Sequence, residues 1–468
     1  MTAAASSREG VPHASLTFHG AAGTVTGSRF LLQTDRSRVL VDAGLFQGER
    51  AWRRRNWEPP FVDPGSLDAA VLTHAHLDHS GYLPVLAAHG FTGPVWCTAR
   101  TAELAEIVLL DAAHLQEQEA ERALLHGYSK HDPPRPLFTT EDATRALRLL
   151  RPIAVELLQR VTPDIDVRLR PAGHILGSSF AEVDVAGCRM LFSGDLGRPG
   201  HPLLSPPAAP HDVDVAVVES TYGDSLHPAQ DEEHLAAVIN RTVRRGGSCL
   251  MPAFAVDRTP VIVHSLVRMQ AARRIPRLPI YVDSPMALRA WEVYRSALAD
   301  GDADLRPDLK PDDLGWDENV IRVPDAAGSE ALNEPDRPCI IVSASGMATG
   351  GRVLHHLRAQ LPHERNSVIL TGFQVPGTRG QALADGAQHL KIYGSYVPVH
   401  AEVVSVLGFS AHADCAQLVT WLSRISDPEV VYVVHGTETS AAALAKRLRK
   451  QLGWTTVAPR FGERVRLV

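Results

Sequence analysis

The chain has 468 residues, more than one ordinary domain, so two large folded units are expected. Hydrophobic residues make up 44% and charged residues 21%, ordinary for a soluble globular protein with ample core, and the net charge of −6 does not by itself advertise a polyanionic partner. No apolar run reaches membrane-spanning length, and residues 1–12, rich in Ala and Ser, lack the hydrophobic stretch of a secretory signal. No membrane partner and a cytoplasmic location are therefore expected.

Residues 16–34 and 38–43 alternate or run apolar like neighbouring strands, with Gly20, Gly23 and Gly27 at the turn between the first two. These glycines do not fit a dinucleotide fingerprint. Asp42 and Gly44 follow the run Val39-Leu40-Val41, where an aspartate either makes a turn or orients a metal-bound histidine. A second apolar run, Ala69-Ala70-Val71-Leu72, reads as a buried strand and ends in Thr73-His74-Ala75-His76-Leu77-Asp78-His79. Four metal-seeking side chains in six residues are hard to explain as packing. In extended chain His74 and His76 point the same way and can grip one ion, while Asp78 and His79 lie past the turn and face a second position. Imidazole and carboxylate suit zinc, with manganese or iron as substitutes.

Residues 101–127 and 141–159 have helical periodicity, and their histidines His114, His126 and His131 are read as surface or helix residues. His174, between glycines in Ala172-Gly173-His174-Ile175-Leu176-Gly177-Ser178, can present its ring from a tight turn. Asp195, in Ser193-Gly194-Asp195-Leu196-Gly197-Arg198, follows an apolar strand. Residues 198–212 are proline-dense and read as a connection leaving the first domain. From about 223 to 401 strands and helices alternate, which implies a parallel α/β domain, with the acidic residues 300–336 as a long solvated insertion or lid. The five cysteines are odd in number, scattered and without a Cys-x-x-Cys pair, so they are read as buried fillers. The adjacent histidines His355 and His356 are read as core or surface residues rather than a functional pair, since neighbours on a helix diverge.

The pattern His-x-His-x-Asp-His at 74–79 resembles the hallmark of the metallo-β-lactamase fold, and His174 and Asp195 resemble its later ligand motifs in the right order. The stretch Glu219-Ser220-Thr221-Tyr222-Gly223-Asp224 narrows the resemblance to the β-CASP subfamily, nucleases related to the messenger-RNA 3′-end cleavage subunit and to ribonuclease J. Pro252-Ala253-Phe254-Ala255-Val256, Val282-Asp283-Ser284-Pro285-Met286-Ala287, Ser343-Ala344-Ser345-Gly346-Met347 and Gly372-Phe373-Gln374 resemble it too. So do Ser410-Ala411-His412-Ala413-Asp414 and the apolar run ending in His435-Gly436. Asp257 departs from the pattern, because glycine is more usual before Arg258.

The resemblance implies an αββα metallo-β-lactamase sandwich (1–222 and 402–468) interrupted by a β-CASP domain (223–401). It also implies that His74, His76 and His174 hold one ion, that Asp78, His79 and His435 hold the other, and that Asp195 bridges two divalent ions, zinc first and manganese second. Asp78, Glu219 and His412 are the expected catalytic residues, with His412 and Glu219 as the pair that protonates the departing oxygen. Ser410, Ser345 and Gly346 are expected beside the substrate. Gly346, Gly350, Gly351, Gly377 and Gly380 either cradle phosphates or simply make turns, and Arg268, Arg273, Arg274, Arg277, Arg352, Arg358 and Arg379 either meet an RNA backbone or form a solvated face.

The implied activity is hydrolysis of single-stranded RNA, internally or from the 5′ end, because DNA-directed relatives of the Artemis type usually carry valine in place of His435. A homodimer through the C-terminal part is also in keeping with the family. A DNA nuclease, a small-ester hydrolase of the lactamase type and a non-catalytic RNA-processing scaffold are the alternatives.

Overall fold

The structure, a computed structural model, describes residues 14–126, 133–227, 231–314 and 318–467. The first sheet begins with β1 (Ser15–Phe18), β2 (Phe30–Gln33), β3 (Arg38–Val41), β4 (Ala69–Val71), β5 (Val95–Cys97) and β6 (Leu150–Pro152), in that spatial order. Its first two pairings are antiparallel and the next three parallel. A second sheet takes β7 (Leu158–Thr162), β8 (Ile165–Pro171), β9 (Ser179–Val185), β10 (Cys188–Phe192) and β11 (Val215–Val218).

A third sheet is wholly parallel and uses β12 (Cys249–Pro252), β13 (Ile280–Asp283), β14 (Val320–Arg322), β15 (Ile340–Ser343) and β16 (Ser367–Leu370). After the hairpin of β17 (His389–Ile392) and β18 (Ser395–Pro398), β19 (Glu402–Ser405) joins its edge beside β16. The chain then returns to the sandwich. There β20 (Val430–Val433) lies parallel to β11, β21 (Thr456–Val457) to β20, and β22 (Arg464–Arg466) pairs antiparallel with β1.

The two seven-stranded sheets face each other across a core that includes Phe18, Leu32, Val41, Val71, Val167, Val183, Met190, Phe192 and Tyr432. Helices Cys415–Leu422 and Glu438–Leu452 cover the outside of the second sheet through Leu418, Leu422, Leu444 and Leu448. The helices Leu83–Ala88, Ala99–His126 and Thr140–Leu147 cover the first sheet. These are the α, β, β and α layers. Continuous apolar segments such as Val-Ala-Val-Val in β11 and Val-Val-Tyr-Val in β20 fit parallel strands covered on both faces.

Three sequence expectations change. Residues 141–159 are not one helix: Thr139 caps a short one that stops at Leu147, and the chain turns into β6 ending in Pro152 and then β7. Proline cannot sit inside a helix without losing a hydrogen bond and clashing with the preceding turn. Residues 300–336 are not a solvated lid, since Leu305 and Leu314 are fully buried, β14 joins the third sheet, and Leu204 and Leu305 form a bridge to the first domain. The return to the sandwich, expected at 402, comes after Ser405, because Glu402–Ser405 pairs along β16. All five cysteines are buried and free. Among the described residues no helix is long and apolar enough to cross a membrane.

Candidate metal centre

The site lies past the carboxyl ends of parallel strands, where open α/β sheets leave their crevices. β3 is followed by Asp42, β4 by His74, β10 by Asp195, β11 by Glu219 and β20 by His435. The register Phe192↔Val217 and Val217↔Tyr432 brings the last three strand ends side by side. Two glycines permit the packing behind them. A Cβ on Gly44 would meet the Asp78 carbonyl at 1.6 Å, and one on Gly197 the Gly173 carbonyl at 1.8 Å.

Besides an overlapping set of Asp195, Glu219 and His435, two separate groups of ligand atoms result, His74, His76, His174 and Asp195 in one and Asp78, His79 and His435 in the other. Asp195 stands between them. Its Oδ2 is 3.4 Å from His74 Nε2 and 3.5 Å from His174 Nε2, while Oδ1 is 3.2 Å from His79 Nε2 and 3.4 Å from His435 Nδ1. His435 Nε2 is 3.5 Å from Asp78 Oδ2. Thus all seven residues expected to hold metal meet in one place.

The donors fit divalent cations. His76 Nδ1 and His174 Nε2 are 3.2 Å apart, as are His79 Nε2 and His435 Nε2. Two nitrogens each ~2.1 Å from a tetrahedral ion stand roughly 3.4 Å apart. His74 Nε2 and Asp195 Oδ1 are buried without a hydrogen-bond partner, which a cation would supply. Imidazole and carboxylate without thiolate suit zinc and accept manganese.

The titration of the side chains follows the same layout. Burial, reinforced by neighbouring imidazoles, lowers the pKa of His74, holds His76 near 3 and puts His174 well below its ordinary value, so these rings are neutral donors. Burial also opposes charge on His79, but Asp195 and Asp42 outweigh it and hold its pKa well above normal. Asp78 and Asp195 titrate below the usual carboxylate range, because the surrounding histidines overcome the desolvation that burial imposes.

Asp42 orients ligands in both groups. Its Oδ2 accepts from His79 Nδ1 at 2.7 Å and from Thr73 Oγ1 at 2.9 Å, and Oδ1 accepts from Thr73 N at 2.8 Å. Thr73 Oγ1 in turn lies 3.1 Å from His74 Nδ1. The Nδ1 protons of both rings are thereby held away from the centre and their Nε2 atoms face it.

His412 adjoins the centre. Its Nδ1 is 3.1 and 3.2 Å from the two Glu219 oxygens and its Nε2 is 3.9 Å from Asp195 Oδ2. Burial works against its charge, yet Glu219 and then Asp195 raise its pKa. Glu219 also accepts from Leu196 N and Thr221 N, so its carboxylate is engaged by the chain and stands in support of His412. The loop of His412 is pinned by Asp414, which caps the following helix through Ala416 N and Gln417 N.

The expected substrate contacts are more scattered. Ser410 Oγ is buried and accepts from His412 N at 3.3 Å. Ser345 Oγ closes its own turn with Thr349. Gly346 packs on Phe254, whose ring is 6.1 Å from that of His76. Arg352 is tied to Asp283, and Arg379 to the carbonyls of Lys391, Ala348 and Thr349. His355 is exposed against Tyr393, while His356 is buried against Asp283 and Asn333. His114 is exposed on helix Ala99–His126, and His131 lies outside the described residues.

Sequence reasoning gave no role to Thr73, to Thr221, whose Oγ1 is 3.1 Å from His435 Nδ1, or to His227, whose Nε2 is 2.9 Å from the His412 carbonyl. Thr73 and Thr221 each lie within a singled-out motif. His227 carried no local signal.

Three family models match in tandem. They are the metallo-beta-lactamase superfamily over residues 22–236, the Beta-Casp domain over 261–383 and the Zn-dependent metallo-hydrolase RNA specificity domain over 396–459. The chain is 36% identical over 449 residues to Ribonuclease TTHA0252 of Thermus thermophilus, covering 95% of this chain and 98% of that one. The chain belongs to the metallo-β-lactamase/β-CASP nuclease family.

Another β-CASP relative, the RNase J-like protein of Methanocaldococcus jannaschii, is 31% identical over 453 residues, covering 95% of this chain and 97% of that one. The transcription termination factor FttA of Methanosarcina mazei is 30% identical over 465 residues, 96% of this chain and 71% of that one. A solved structure titled as a protein of unknown function from Enterococcus faecalis shares the fold at a TM-score of 0.52 and 14% identity, covering 97% of this chain and all of that one. The fold, the two ligand groups and the family agree on a metal-dependent hydrolase of the nuclease class.

Proposed function

We propose that this protein hydrolyses phosphodiester bonds of single-stranded RNA at a dinuclear metal centre, with His74, His76 and His174 on one ion, Asp78, His79 and His435 on the other and Asp195 shared. The observation that carries this reading is the Asp195 carboxylate placed between two histidine groups, with the Glu219–His412 pair opening beside it. Two zinc ions held there would supply Lewis acidity toward the phosphoryl oxygens and a water acidified to a pKa of about 7. The chain's own residues do the rest. Glu219 keeps His412 charged and aimed, and His412 Nε2 is the proton donor to the departing sugar oxygen. Ser410, Ser345 and Gly346 line the approach of the phosphate backbone.

RNA is favoured over DNA by the name of the matched C-terminal family, an RNA specificity domain, and by the ribonuclease names of two relatives. A cytoplasmic location fits that substrate. The net charge of −6 is no obstacle, since two divalent ions make the cleft locally positive.

The test is incubation of zinc- or manganese-loaded protein with single-stranded RNA and with DNA of the same sequence, each labelled at the 5′ end and internally. RNA cleavage with intact DNA is expected, and the product ladder separates internal cutting from 5′ trimming. Survival of both polymers with metal bound would remove the nuclease reading.

A further inference from the structure

Asp257 is the one position where the sequence departs from its motif, and its backbone is as unusual as its identity. It precedes helix Arg258–Ala271 with φ 64° and ψ −57°, a conformation in which glycine is unstrained and an L side chain is not. The side chain is buried, only 3% exposed, and both oxygens are used. Oδ1 accepts from Tyr294 OH at 2.9 Å, and Oδ2 accepts from His201 Nε2 at 3.1 Å.

The direction of each bond is fixed by its surroundings. His201 Nδ1 accepts from Leu203 N and Leu204 N, so its proton sits on Nε2 and is given to Asp257. Tyr294 OH accepts from Leu176 N at 3.1 Å and therefore spends its own proton on Asp257. Leu176 is two residues past the metal-group member His174.

Three segments meet at this carboxylate. They are the connection leaving the first domain (His201), helix Pro285–Asp300 of the inserted domain (Tyr294) and the start of helix Arg258–Ala271. A second tether runs alongside, since Asp304 Oδ2 accepts from Gly177 N at 2.8 Å, and Leu204 and Leu305 form a bridge. On its other side the His174 loop is held by Thr98 and Thr101, whose hydroxyls donate to the Gly177 carbonyl. The loop is therefore gripped half by the sandwich and half by the inserted domain.

We propose that Asp257 is a positioning residue that, through Tyr294 and His201, fixes the His174 loop to the seated inserted domain, so that domain seating and affinity at the first metal position are coupled. This inference rests on the metal-centre reading above. A carboxylate kept in a strained backbone position that glycine would occupy freely fits a role in holding its partners.

The experiment compares wild type with Asp257→Gly, Asp257→Asn and Tyr294→Phe, all as full chains. Hydrogen exchange of the peptide spanning 172–178 is read by mass spectrometry without metal, and zinc affinity by competition with a chelator. Asp257→Gly relieves the backbone strain while removing the clamp. Asp257→Asn can keep its oxygen toward His201, whose Nδ1 is already occupied as an acceptor, but then turns a donor toward Tyr294 and leaves the Tyr294 proton without its acceptor, and Tyr294→Phe removes the links to both Asp257 and Leu176.

Exchange at 172–178 is expected to rise about tenfold or more in Asp257→Gly and Tyr294→Phe and less in Asp257→Asn. One of the two zinc sites should weaken by roughly 10–100-fold while the other is kept. Exchange and zinc affinity within twofold of wild type in folded Tyr294→Phe and Asp257→Asn would overturn the proposal, even if Asp257→Gly failed to fold. Faster exchange with unchanged zinc affinity would overturn the coupling. A wild-type chain that takes up no zinc would instead sink the metal-centre reading and the affinity half of the proposal with it, while the exchange data still decided the clamp.

Discussion

Replacing Asp42 by asparagine should separate folding from metal binding. In the native protein Oδ2 receives the Nδ1 proton of His79 and the hydroxyl proton of Thr73, and Oδ1 receives the Thr73 amide. An amide nitrogen cannot face Thr73 N, so in Asp42→Asn it must take the place of Oδ2. There it donates to His79 Nδ1 and Thr73 Oγ1. The buried groups stay largely paired, but His79 is forced into the tautomer that carries its proton on Nε2, the atom facing His435 and Asp195.

Loss of one orienting partner weakens metal binding by roughly 10–100-fold, which is about 1.4–2.8 kcal/mol. The metal-free protein should lose no more than about 1 kcal/mol, or roughly 1–2 °C in unfolding temperature for a chain of this length. Chelator competition and thermal unfolding of the metal-free chain measure the two quantities. Affinity within twofold of wild type would refute the tautomer argument. A fall of 10 °C or more with both ions lost would show that Asp42 serves the fold rather than the ligands.

His412→Ala should lower RNA cleavage by ~10²–10⁴-fold with metal content unchanged, and should cost far less on bis(p-nitrophenyl) phosphate, whose leaving group needs no proton. Equal losses on both substrates would remove the proton-donor role. Asp304 gives a pH test of stability. Burial, then the charge of Asp302, pushes its carboxyl up to about 6, so the folded state holds a proton that the unfolded chain releases near pH 4. The contribution of this group to stability should therefore be fully present below pH 4 and lost as pH rises through about 6. At full burial this is worth ~3 kcal/mol, and about 1–2 kcal/mol for a partly exposed side chain. Asp304→Asn, which still accepts from Gly177 N, should be more stable than wild type at pH 8 and converge with it at pH 4 in denaturant titrations. A difference independent of pH would contradict the assignment.

Much of the site could be read from the sequence because each ligand sits in a local signal, a histidine or carboxylate just past an apolar strand. His74, Asp195, Glu219 and His435 all follow that rule; the parallel register sets the ends of β10, β11 and β20 side by side, and His74 comes to them from β4 of the facing sheet. What escaped was decided by long-range pairing. The acidic composition of 300–336 suggested solvent exposure, but two leucines and one short strand tie it down. Residues 402–405 look like any edge strand, and only the partner β16 assigns them to the inserted sheet. The unusual Asp257 was visible as a departure, yet its meaning depends on Tyr294 and His201, 37 and 56 positions away.

The position of β20 between β11 and β21 sets a timetable for the growing polypeptide. His79 and His435, which face each other at 3.2 Å, are 356 positions apart. At ~5–20 residues per second of translation, roughly 20–70 s pass between the emergence of the first and the second. During that interval the second ligand group is one histidine short, and the apolar edge of β11 has no neighbour on that side. The newborn chain thus needs shielding from aggregation before it has any means of cutting a phosphodiester. The second ligand group is completed only once β20 has emerged and paired with β11.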